Sequence, residues 1–235
     1  MKAIVSMENV KKDYTLGDVV VNALRGVDLV LSSGEFTAMA GPSGSGKSTL
    51  LNLVGGLDRV TSGHIEVDGR KLSELSRTML SRLRRDRVGF VFQNYNLVPV
   101  LTALENAEYV LMLQGVPASE RRERVGEILR EVGLEGMENR FPRELSGGQQ
   151  QRVAIARAIV SEPALVLADE PTANVDSKTA LSLLDLMEKL NEEKGVTFLF
   201  STHDHAVMKR AKRLLLLRDG MISYDGPPDD KALAG

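Results

Sequence analysis

One stretch, Gly41-Pro42-Ser43-Gly44-Ser45-Gly46-Lys47-Ser48, constrains this chain more than any other part of it. It fits G-x-x-x-x-G-K-[ST], with the apolar run Phe36 to Ala40 before it and a helical segment, from about Ser48 to Leu57, behind it. Glycines at this spacing let a loop turn tightly enough for its backbone N–H groups to converge on an anion. The helix that follows adds the positive end of its dipole. Lys47 then supplies a cation that reaches the β- and γ-phosphates of a nucleotide, and the Ser48 hydroxyl is placed to ligate Mg²⁺.

The rest of the pattern fits an α/β protein built on that unit. Ala3 to Val10, Val19 to Leu24, Val27 to Leu31 and Glu35 to Ala40 read as strands, broken by Gly17-Asp18, Gly26 and Ser32-Ser33-Gly34. His64 to Val67 and Val88 to Phe92 are further strands. Between those two, Leu75, Met79, Leu80 and Leu83 recur at helix spacing. From about Asn94 to Val160 a mostly helical lobe is expected, with Val125, Ile128, Leu129 and Val132 on one helix face. Strand and helix then alternate: Ala164 to Ala168, a helix over Lys178 to Leu190, Val196 to Ser201, and Leu214 to Leu217 with a hairpin at Asp219-Gly220. The expected fold is a P-loop core with a mainly parallel sheet covered on both faces, an N-terminal antiparallel β subdomain and an inserted helical subdomain. The chain reads as one domain, with 1–93 and 161–235 as core and about 94–160 as the helical lobe. A frayed tail is expected from Gly226-Pro227-Pro228.

Ala164-Leu165-Val166-Leu167-Ala168 ends in Asp169-Glu170-Pro171. A buried strand that delivers two carboxylates at its C-terminal tip marks a site, because open α/β sheets bind ligands there. Asp169 is the natural partner of Mg²⁺ through water, which leaves Glu170 free to polarise an attacking water as general base. Gln93 and His203 also stand just beyond apolar strands. The Gln93 amide can ligate Mg²⁺ or orient water, and the His203 imidazole can donate to a γ-phosphate.

Composition removes several other classes. With no Cys, disulfides and thiolate metal sites are excluded. A net charge of −2 gives no global basic field to recruit nucleic acid, and 4% aromatic residues with no Trp argue against base-stacking platforms. Glu8, Lys11 and Lys12 interrupt the N-terminal apolar run, so it does not read as a signal peptide. The stretch Leu214 to Leu217 is bracketed by Arg213 and Arg218, far short of the roughly 20 apolar residues a spanning helix needs. No direct membrane insertion is expected.

Leu145-Ser146-Gly147-Gly148-Gln149 resembles the signature loop of ATP-binding-cassette (ABC) ATPases. With Gly41 to Ser48, Gln93, Asp169-Glu170 and His203 it completes that family's motifs in the family's order, across essentially all of residues 3 to 225. The resemblance implies an ATPase that holds Mg-ATP on Gly41 through Thr49, with Tyr14 stacked on the adenine. It also implies head-to-tail dimerisation, in which Ser146, Gly147, Gly148 and Gln149 of one copy meet the γ-phosphate held by the other. One segment departs from the pattern: Ala173-Asn174-Val175-Asp176 stands where the family commonly has S/G-A-L-D. Asp176 is kept.

A single cassette without a coiled-coil insert resembles transporter motor subunits. The alternative is a soluble member acting on nucleic acid or ribosomes. The run Phe90 to Pro99, followed by Leu101-Thr102-Ala103-Leu104-Glu105-Asn106, is similar to the lipoprotein-releasing and macrolide-export branch. That implies an integral membrane permease as partner and a cytoplasmic place on the inner face of the cell membrane. Phe92, Tyr95, Leu97, Pro99 and Leu101 either line the groove for that partner or pack the helical lobe.

Overall fold

Every second residue of a strand faces the same side, so a strand buried at every position must be covered twice. Strand β3 (Phe36–Ala40) shows this: Phe36, Ala38 and Ala40 enter one buried cluster and Met39 another. The computed structural model describes residues 2–229 and 233. Before β3, strands β1 (Ala3–Leu16) and β2 (Val19–Ser32) pair antiparallel. After it come helix α1 (Lys47–Val54), strands β4 (Ser62–Val67) and β5 (Arg70–Lys71), helix α2 (Arg77–Arg87) and strand β6 (Val88–Val91). Helices α3 (Ala103–Leu113), α4 (Ala118–Glu131) and α5 (Gly147–Ile159) follow. Strand β7 (Leu165–Asp169), α6 (Ser177–Lys194), β8 (Phe198–Ser201), α7 (His205–Arg210) and the hairpin β9 (Arg213–Arg218)–β10 (Met221–Gly226) complete the chain.

The larger sheet runs β10-β9-β3-β8-β7-β6, parallel throughout except for the β9–β10 hairpin. The smaller one, β2-β1-β4-β5, is antiparallel. Alternation divides the core between them. Val166, Ala168, Phe198 and Phe200 join the cluster formed with α3 to α6, whereas Leu165, Leu167 and Leu199 join α1 and the antiparallel sheet. Phe36 ties the first cluster together, with ring centroids 5.6 Å from Phe198 and 4.9 Å from Phe200.

Several boundaries differ from the sequence expectation. Gly26 does not break β2 but sits in a bulge: the register shifts opposite it, Asn9 has φ 46°, and Gly26 itself has φ 111°. A Cβ at Gly26 would lie 2.9 Å from Asn9 Oδ1, the tip of an exposed side chain that can turn away, so it is the positive φ that calls for glycine here. Met79 is exposed on α2, whose core face is Leu80 and Leu83 alone. Helix α6 continues past Leu190 to Lys194, where Gly195 at φ 65° ends it. The short α7 was not foreseen; Asp204 caps it by accepting from Ala206 N (2.8 Å). The tail expected to fray lies partly outside the described residues, at 230–232 and 234–235. Among the described residues no helix is long and apolar enough to cross a membrane.

Between β6 and α3 the chain runs without regular structure, held by the buried Asn106. Its Oδ1 accepts from Val98 N (2.8 Å) and its Nδ2 donates to the carbonyls of Val98, Leu101 and Thr102. Leu97 packs against the core, while Val98 and Val100 stay exposed, Val100 at 74%.

Candidate functional site

The tips of β3, β7 and β8 open into one cleft of about 570 Å³. Gly41 to Gly44, Gly46 to Thr49, Gln93, Asp169, Glu170 and His203 line it, and Val21, Asn22 and Ala23 close one side from β2. No sequence motif marks those β2 residues, because they come from a different sheet.

The loop is shaped by crowding. Gly41, Gly44 and Gly46 have φ of 147°, 78° and 106°. A Cβ at Gly41 would meet Leu217 O at 2.0 Å, and one at Gly46 would meet Ala23 O at 2.7 Å. Both neighbours are backbone and cannot step aside. Lys47 folds back over the loop, its Nζ donating to Gly41 O (2.7 Å) and Pro42 O (3.0 Å). Those carbonyls occupy the ammonium only until a stronger acceptor arrives, and a phosphate oxygen is one. Ser45 does not line the cleft. It is buried beneath the loop, and its hydroxyl has no hydrogen-bond partner among the described residues. The N-cap of α1 is Gly46, which has no side chain to cap with.

The acidic pair is set by a residue the sequence reading missed. Ser201, fully buried at the end of β8, donates its hydroxyl to Asp169 Oδ1 (2.5 Å) and accepts from Glu170 N (3.0 Å). Its only signal was its place at the end of an apolar strand, two residues before His203. Glu170 has φ 48°, a left-handed conformation that a non-glycine residue keeps only when its surroundings impose it. His203 is paired with it, Nδ1 lying 2.9 Å from Glu170 Oε1, while 72% of the imidazole remains exposed to the cleft.

Other predicted site residues stand apart. Tyr14 is half-buried; its hydroxyl donates to Asp58 Oδ2 (2.9 Å) and Lys12 Nζ lies 4.7 Å from its ring centre. Burial, then the bond to Asp58, raise its phenol above the usual range. It borders the cleft through Val21, its register partner on β2, and through a side-chain interaction with Thr49 on α1.

Ser146, Gly147, Gly148 and Gln149 do not line the cleft. They begin α5, where Ser146 Oγ accepts from Gln149 N (3.3 Å) and Gln149 Oε1 accepts from Ser146 N (2.8 Å). The helix begins at Gly147, so both glycines are helical. They are glycine for closeness: a Cβ at Gly147 would be 2.7 Å from Tyr95 Oη, and one at Gly148 2.3 Å from Thr179 Cγ2.

A strand, a crowded glycine loop, an open helix N-terminus and a pair of strand-end carboxylates together give this cleft the donors and charges that suit a nucleotide phosphate. The family pattern described as "ABC transporter" matches residues 24–173. The lipoprotein-releasing system ATP-binding protein LolD of Anaeromyxobacter dehalogenans is 48% identical over 224 residues, 95% of this chain and 94% of that one. The macrolide export ATP-binding/permease protein MacB of Syntrophobacter fumaroxidans is 46% identical over 93% of this chain, which spans 31% of that longer protein. Among solved structures, the cassette MJ0796 in a dimeric post-hydrolysis state bound to ADP and Pi superposes with a TM-score of 0.89. It is 44% identical, covering 96% of this chain and 99% of that one. The chain belongs to the ABC transporter family and is one of its ATP-binding, ATP-hydrolysing subunits.

Proposed function

We propose that the chain works as a head-to-tail homodimer around two Mg-ATP and drives a separate membrane permease of the lipoprotein-releasing or macrolide-export type. The observation that carries this reading is the division of the motifs. One chain gathers the loop, Gln93, Asp169, Glu170 and His203 in its cleft and leaves Ser146 to Gln149 outside it. A second copy, turned end for end, would bring those residues over the γ-phosphate. The dimeric form of MJ0796 supports that arrangement.

Each side chain then has a task. The backbone N–H groups of Gly41 to Ser48, with the N-terminus of α1, bind the phosphates, and Lys47 leaves its two carbonyls to join them. The Ser48 hydroxyl and the Gln93 amide would hold Mg²⁺, with Asp169 bound to it through water. The donors fit: a hydroxyl, an amide oxygen and a carboxylate are the hard oxygen ligands Mg²⁺ takes, and it uses few protein ligands when it arrives on phosphates. When bound, the cation offsets charge on the phosphate oxygens. Glu170 accepts the proton of the attacking water, and His203 orients Glu170 while facing the γ-phosphate. Tyr14 would pack its ring on the adenine.

The names of the relatives favour transport over action on nucleic acid. The exposed Val98 and Val100, with Tyr95 and Leu101 beside them, would receive the permease, placing the chain on the inner face of the cell membrane. The division into a core of 1–93 and 161–235 and a helical lobe of about 94–160 belongs to the same proposal.

Replacing Glu170 by Gln keeps the shape and removes the base, so ATP should hold the halves together without being consumed. Gel filtration of Glu170→Gln with Mg-ATP is expected to give a dimer. A monomer at high ATP and protein concentration would refute the sandwich.

A further inference from the structure

We propose that Asn174 is a positioning residue that couples the two half-sites of one chain, tying Gln93 of its own cleft to the signature turn it presents to a second copy. The inference rests on the dimer reading above. Asn174 lies in the segment where the sequence departs from the family pattern, and the structure gives its side chain specific work. Its Nδ2 donates to Gln93 O (2.9 Å) and to Asn94 Oδ1 (3.0 Å). The Gln93 carbonyl can only accept, which fixes the orientation of the Asn174 amide and, through it, that of Asn94. In return the backbone oxygen of Asn174 accepts from the Tyr95 hydroxyl (3.1 Å).

Both ends of this clamp are anchored. On one side, Tyr95 and Asn96 hold left-handed conformations, φ 60° and 49°. Their carbonyls accept from the Arg157 guanidinium on α5, at 2.9 and 2.6 Å. On the other, Asp176 caps α6 by accepting from Lys178 N (3.1 Å) and Thr179 N (3.0 Å). The first turn of α5 fits into the same junction. A Cβ at Gly147 would lie 2.7 Å from Tyr95 Oη and 3.4 Å from Asn174 O. A shift of Gln93 on nucleotide binding is therefore passed through Asn174 and Tyr95 to Gly147, next to Ser146. In the single chain these bonds face water and are weak; a second copy packed over them excludes that water and strengthens them.

Asn174→Asp tests this directly. The aspartate keeps the size but sets an acceptor against Gln93 O, which can only accept, so that bond is lost, and Asn94 must turn its amide round to keep the other. ATPase rate against ATP concentration should show kcat down about tenfold, the effect of one lost hydrogen bond and a carboxylate set against a carbonyl. The Hill coefficient should fall from near the two-site value of about 2 toward 1. Binding of a fluorescent ATP analogue to the monomer at low protein concentration should be unchanged, because the loop is untouched. Tyr95→Phe, which removes one bond of the same junction, should shift the Hill coefficient the same way and stands in if the Asp variant does not fold. A Hill coefficient that stays at the wild-type value, whatever kcat does, overturns the proposal, and so does a wild-type value of 1. Glu170→Gln is assayed alongside. If it is inactive while Asn174→Asp cooperates normally, only the Asn174 coupling fails; if it hydrolyses ATP like wild type, the site reading fails and the coupling with it.

Discussion

Ser201→Ala removes one oxygen and should unsettle both acidic residues of the cleft. The hydroxyl is fully buried, donates to Asp169 Oδ1 at 2.5 Å and accepts from Glu170 N at 3.0 Å. A hydrogen bond to a charged group contributes about 1.5–3 kcal/mol, and an orphaned buried N–H costs about 1–3. Asp169 and Glu170 are half-buried, so water recovers part of each loss, leaving a net destabilisation of about 2–3 kcal/mol. For a chain of this size, each kcal/mol lowers Tm by about 2–4 °C, which predicts a fall of roughly 5–10 °C by calorimetry. The same bond holds the peptide of Glu170 in its left-handed conformation. Released, the carboxylate should drift from the attack line and kcat drop by about tenfold, with KM for ATP little changed. A variant whose Tm stays within about 1 °C of wild type and whose kcat is unaltered would refute the claim that Ser201 sets the acidic pair.

Three further outcomes can be checked. Gly89→Ala would put a Cβ 2.3 Å from Ala158 O, a backbone atom of α5, and should cost about 1–3 kcal/mol or block folding, read from the urea midpoint. Tyr14→Phe loses the bond to Asp58 but keeps the ring, so ATP affinity should hold; Tyr14→Leu should weaken it, and equal affinities for the two would end the stacking role. The Asp86 carboxyl is held low by the paired bonds from Arg85 at 2.6 and 2.8 Å, against a smaller opposing effect of burial. A depressed folded pKa gives stability that is present above the unfolded carboxylate value, about 4, and is lost as pH falls through the folded one. Asp86→Asn should therefore lower the neutral plateau of stability measured by urea titration and flatten the acid limb below about pH 4, so that the two proteins converge at low pH.

What could be read from the sequence was whatever has a local cause. The strand before Gly41 and the helix after Lys47 follow from periodicity, and Asp169, Glu170 and His203 from apolar runs that end in polar residues. Long-range causes left little trace. Ser201 and Asn106 are ordinary polar residues until distant chain segments fold onto them. The glycines at 147 and 148 are helical, and a Cβ on either would press on Tyr95 or Thr179, which lie far off in the chain. Gly26 looked like a strand break, although a bulge opposite Asn9 carries β2 through it. A glycine marks that something special happens to the backbone; whether that is a turn, a bulge or a close contact depends on neighbours that are remote in sequence.

The same contrast separates the two helix N-termini that the proposed dimer would bring to one phosphate. Helix α1 begins at Gly46, which has no side chain to offer, and Lys47 rests on loop carbonyls that a phosphate outcompetes. Its dipole end is ready for an anion in the single chain. Helix α5 begins at Ser146, whose hydroxyl is engaged with Gln149 N while Gln149 reaches back to Ser146 N. To grip a phosphate with that serine, the capping box has to loosen, at a cost of about 1 kcal/mol. An anion already fixed on the loop of another copy can offset that cost; one free in solution must also lose its own freedom. The asymmetry between a bare cap and an occupied one therefore gives an order of events: the loop loads first, and the signature turn closes second.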